Sequence, residues 1–93
     1  MTDNSTDLEE LSALCERLEI AVVREKLGAS RGGLCRIYQR HVLYLDSALD
    51  EREQIEIMAQ AVAQFDIDDF YVRPRLRELI ARYRGGDSTL DEP

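Results

Sequence analysis

The chain has one histidine, two cysteines and two prolines in 93 residues, and each scarcity closes off chemistry. A single imidazole, His41, cannot furnish a two-histidine metal site, and no nucleophile or second ligand stands beside it in sequence. No Cys/His or Ser/His/Asp set can be assembled, and His41 is expected to be an exposed turn residue. Cys15 and Cys35 lie 20 positions apart, in neither a CxxC pair nor a dense secreted framework. Two buried thiols are expected, with a disulfide open only if their Cα atoms approach within about 7 Å.

Nowhere do about 18 apolar residues follow one another, and the start, Met1 to Asp7, is polar and acidic. A soluble, cytoplasmic protein with no membrane association is expected. The glycine loop LGASRGG lacks the spacing and the lysine of a phosphate cradle and opens no helix, so it is a connector. Asp66, Asp68 and Asp69 could offer oxygens to a hard cation, but the glycine and distal glutamate of a calcium loop are missing. A solvated or arginine-paired turn is expected there. No metal and no cofactor follow from any of these segments.

What the chain does have is acid. Nineteen carboxylates against twelve basic residues leave a formal charge of -7, a field that repels phosphate backbones and anionic lipid. A protein partner is the expected one, and nucleic acid is disfavoured. With 44 % hydrophobic and 33 % charged residues, the chain fits one domain over residues 7–85, flanked by disordered acidic tails at 1–6 and 86–93. A domain of this length buries about 60–65 % of its unfolded surface. Its core is thin.

Asp7 can cap a helix whose apolar stripe is Leu8, Leu11, Leu14, Cys15 and Leu18. At Ile20 the pattern turns β-branched through Val22 and Val23, predicting a strand over 20–25, with one helix continuing to Leu27 as the alternative. Beyond the glycines, runs at 34–38 and 42–46 around Gln39, Arg40 and His41 predict a hairpin. Alternation then places Cys35, Ile37, Leu43 and Leu45 on one face and Leu34, Arg36, Tyr38, Val42 and Tyr44 on the other. The second face is too apolar for plain solvent, so either this chain covers it or it is an association surface.

Asp50 and Glu53 form a capping-box pattern before a helix with Ile55, Met58, Ala59, Val62 and Phe65 inside. Pro74 opens a last helix with Leu76, Leu79, Ile80 and Tyr83 inside, and Gly85 and Gly86 are expected to end it. The expected class is α+β: a helix, three strands including a hairpin, then two helices.

The stretch YLDSALDEREQIEIMAQAVAQ, ending at Gln64, resembles the strand and active-site helix of the small zinc metallopeptidases of the ImmA/IrrE type. Their helix has the form EQxxxxAHExxH, and Glu53, Gln54, Met58, Ala59, Val62 and Ala63 fit it without a gap, within a similarity over about residues 7–65. The resemblance implies that Gln60 and Gln64 stand where the zinc-binding histidines would be and Ala61 where the general base would be. Amides are poor zinc ligands and alanine takes no proton from water. The expectation is a non-catalytic interaction or regulatory module on a degenerate frame.

Two contact surfaces are expected: the groove side, with Ile57, Gln60, Ala61 and Gln64, and the open sheet face, with Tyr38, Val42 and Tyr44. Arg73, Arg77 and Arg84 line one flank of the last helix without a helical acidic neighbour. They are candidate contacts for an anion or acidic partner, and they carry the alternative reading, a nucleic-acid-associated regulator. An unmatched strand edge and a two-sided apolar hairpin would also allow a homodimer.

Overall fold

The computed structural model describes residues 4–28 and 30–90, the last six of these in backbone only. Its elements are α1 (Asn4–Arg17), β1 (Ile20–Glu25), β2 (Gly32–Ile37), β3 (Arg40–Asp46), α2 (Glu51–Val62) and α3 (Pro74–Leu90). The fold is α+β, an N-terminal helix, a three-stranded mixed sheet and two helices, as the sequence pattern predicts.

The strand order is β1-β3-β2. The central β3 runs parallel to β1 and antiparallel to β2, so the 26–31 connection must carry the chain across the end of β3. Between α1 and β1, Glu19 adopts a φ of +63°, a left-handed residue of the kind that ends helices. Ile20 to Glu25 then pair with His41 to Asp46, and the alternative of one long helix is not realised.

The hairpin register corrects the expected faces. Tyr38 and Gln39 form a two-residue turn, one residue tighter and earlier than the expected turn at 39–41, so Leu34 stands opposite Leu43 and Cys35 opposite Val42. A one-residue slip moves a strand's side chains to the other face. Leu34 therefore joins Leu43, Leu45, Ile20 and Val22 on the helix-covered face. Cys35 and Ile37 join Val42, Tyr44 and Val23 on the open one. His41 is a half-buried strand residue, edge-on to Phe65 with 4.9 Å between ring centroids, and not an exposed turn residue.

Gly32 and Gly33 belong to β2, not to a loop. At Gly32 φ is +125° and a Cβ would lie 2.0 Å from the Tyr44 carbonyl oxygen, so only glycine lets the two strands close here.

One core joins Leu11, Leu14 and Cys15 of α1, Ile20, Leu43 and Leu45 of the sheet, Ile55, Met58, Ala59 and Val62 of α2, and Leu76 and Ile80 of α3. The central packing element is α2, which contacts α1, α3, β2 and β3. Its start is fixed by the expected capping box: Glu53 N donates to Asp50 Oδ1 at 2.8 Å and Asp50 N to Glu53 Oε1 at 3.1 Å.

Asp7 is not a cap. The helix begins at Asn4, and Asp7 lies inside it, 5 % exposed. Its carboxylate accepts from Arg73 Nη2 at 2.8 Å and from Arg75 Nη2 at 2.5 Å, tying α1 to the start of α3. Of the expected tails, residues 4–6 and 86–90 are helical, and α3 passes through Gly85 and Gly86 to Leu90; glycine costs a helix only about 1 kcal/mol. Residues 1–3 and 91–93 lie outside the described residues.

Candidate functional site

A groove of about 200 Å³ lies between the edge strand β2 and the helix α2, lined by Arg31 to Leu34 on one side and by Ile57, Gln60, Ala61 and Gln64 on the other. All four groove residues singled out from the sequence therefore come together. Their roles differ. Ile57 is 7 % and Ala61 2 % exposed, so these form the floor and belong to the core. Gln60 on α2 and Gln64 in the turn just past its end are exposed, and their side chains make no hydrogen bond among the described residues.

Gly32 and Gly33 line this groove as bare backbone, and Arg31, at the mouth, reaches Glu56 of α2 at 3.7 Å. The sequence reading missed Arg31 to Leu34 as lining because it assigned the glycines to a connector. The signal for them was the GGLCRI run itself, whose alternation continues back through Gly32.

The second surface is the open side of the sheet. Val42 and Tyr44 lie there, half-buried, beside Val23, Cys35 and Ile37, the last 42 % exposed. Tyr38 does not join them. It sits at the hairpin turn, 95 % exposed, with a φ of +58°. No described element covers this face, so the alternative that the chain itself covers it is not realised among the described residues. The two surfaces lie on opposite faces of the sheet, and the strand between them is β2, whose outer edge has no neighbouring strand among the described residues.

The cysteines separate in the same way. Cys15 is buried and free, and burial pushes its thiol up to about 11 despite the opposing charge of Arg24. Cys35 is exposed and free, which corrects the expectation of two buried thiols: the register turns it outward. Among the described residues no three His, Cys, Asp or Glu side chains converge in a metal-holding group, and no helix is long and apolar enough to cross a membrane.

The three arginines are engaged within the chain. Arg73 pairs with Asp7 and with Glu10, and its hydrogen bond to Glu10 holds the guanidinium pKa above its ordinary value. Arg77 donates to the Phe70 carbonyl at 2.9 Å and approaches Asp68 at 3.7 Å. Arg84 donates from Nε to the Ala63 carbonyl at 3.1 Å and from Nη2 to that of Phe65, satisfying carbonyls left over just beyond the end of α2. An external anion would compete with each of these bonds.

Compared with known proteins, the sequence matches no family model and no curated relative.

Proposed function

We propose that this domain is a non-catalytic protein-interaction module whose ligand is an extended segment of a partner protein, laid along the free edge of β2 beside the α2 groove. The observation that carries the reading is the convergence of Gln60, Gln64 and the side-chain-free Gly32–Gly33 stretch at an unpaired strand edge. A strand added there would form main-chain hydrogen bonds with β2. Its alternate side chains would point to the two faces, one set over Gln60 and Gln64, the other toward Tyr44 and Val42. This joins the two candidate surfaces in one mode of binding.

Neutral amides above an apolar floor suit such a role, since they offer a donor and an acceptor each and place no charge to be desolvated. The arrangement is compatible with the ImmA/IrrE-like frame, in which positions 60, 61 and 64 would have lost their histidines and general base. A cytoplasmic setting agrees with the free thiols.

The reading is tested by selecting ligands from a displayed random-peptide library and measuring their affinity for two variants. Gln60→Lys with Gln64→Lys keeps both sites exposed and should weaken binding about tenfold or more, by placing charges where a ligand must desolvate them. Tyr44→Asp should weaken it too, with circular dichroism unchanged. Full-strength binding to both variants would refute the assignment. Ile57 is a poor choice for this test, because aspartate at a core position would unfold the domain.

A further inference from the structure

The sheet has a second free edge. On the side of β3 away from β2, β1 has no strand neighbour among the described residues, and a hollow of about 750 Å³ runs between this strand and α1. Its floor is apolar, with Leu8, Ile20 and Val22 among the lining residues. Its helical wall is one stripe of α1, Ser5, Glu9, Ser12 and Glu16, at the four-three-four spacing that keeps residues on one side of a helix.

The charge of this hollow is one-sided. Among the described residues, Glu9, Glu16 and Glu51 line it against one basic residue, Arg24. Arg24 is already occupied, donating from Nε to Gln54 Oε1 at 3.0 Å. Glu51 accepts from Ser5 Oγ at 3.0 Å, whereas Glu9 and Glu16 are exposed and take part in no ion pair among the described residues. The dimensions match an extended ligand. Six residues of β1 span about 20 Å, and the Ser5 to Glu16 stripe spans about 17 Å.

We propose that this groove receives an extended basic segment of a partner protein, added to β1 as a fourth strand with its basic side chains against Glu9 and Glu16. This goes beyond the β2 site, which lies on the opposite edge and carries no comparable acid. Charge selects the occupant. A second copy of this chain would bring acidic wall against acidic wall, and a nucleic acid would meet the same repulsion. A segment alternating basic and small apolar residues satisfies both sides of the added strand: acid on the α1 side, Ala21 and Val23 on the open side.

The probe is a fluorescent, end-capped (Lys-Val)4 peptide, compared with (Glu-Val)4 and with (Lys-Val)4 N-methylated at alternate residues in either phase. The lysine peptide should bind the full chain, weaken with added salt, and slow amide exchange in β1. It should lose about tenfold or more in affinity on Glu9→Lys with Glu16→Lys, two exposed sites whose variants keep the native circular dichroism. One phase of N-methylation should abolish binding on the unmodified protein. The proposal is overturned by no binding, by equal binding of the glutamate peptide, by indifference to both methylation phases, or by protection that appears in β2 in place of β1.

Discussion

The two faces of the sheet are built from the same three strands and have opposite fates. On one, Ile20, Leu43 and Leu45 are at most 3 % exposed beneath α1 and α2. On the other, Val23, Val42 and Tyr44 are only half-buried and Cys35 and Ile37 are exposed. Both faces are apolar, so hydropathy alone does not decide which one becomes core. Register decides it, together with the side on which the helices fall, and the face left over is free for recognition.

The largest expected effect separates the faces directly. Leu43→Ala should cost about 3–4 kcal/mol, through lost burial and a residual cavity, while Val42→Ala one position away should cost less than about 1 kcal/mol. Urea denaturation of the two variants measures the gap, and equal costs would break the distinction. The covered face also depends on what anchors α1. Asp7→Asn should cost about 2 kcal/mol, less than a fully buried pair because Arg73 and Arg75 are 37 % and 52 % exposed and can rehydrate.

The thiols report the same division. Cys35 should react with a disulfide reagent at neutral pH and Cys15 only on unfolding. A thiol raised from 9.0 to about 11 in the folded protein favours folding in full below pH 9 and loses that contribution as pH rises toward 11. On the order of 2 kcal/mol should disappear over this window in the wild type, and Cys15→Ala should lack that component of the decline. Parallel pH profiles of the two proteins would count against a buried thiol. The smallest effect lies at the hairpin tip, where Tyr38→Gly should stabilise by about 0.5–1 kcal/mol by relieving a positive φ.

Much of the fold was legible in local patterns. The β-branched change at Ile20 marked β1, Asp50 and Glu53 marked the start of α2, and Pro74 the start of α3. The misreadings share one origin: they are long-range facts. A turn at 38–39 instead of 39–41 differs by one residue in sequence and reverses the partners of a whole strand. Gly32 looked like loop because its reason for being glycine is the backbone of Tyr44, twelve residues on. Asp7 looked like a cap because Arg73 and Arg75, which claim its carboxylate, lie at the other end of the chain. Of the site, the groove residues Ile57, Gln60, Ala61 and Gln64 are picked out through the resemblance to the metallopeptidase helix, and helical spacing alone does not single them out. Their neighbour β2 was not legible, and neither was the acidic hollow beside β1, which needs both α1 and the strand order to be visible.

Amide exchange of the β2 backbone with and without a library-selected peptide probes most directly whether the free edge of β2 is a recognition surface. Slowed exchange across residues 33–37 of β2, reversed by Gln60→Lys with Gln64→Lys, is the expected result. Ligand bound at full strength with β2 exchange unchanged, or cleavage of the peptide by the pure protein, would contradict it.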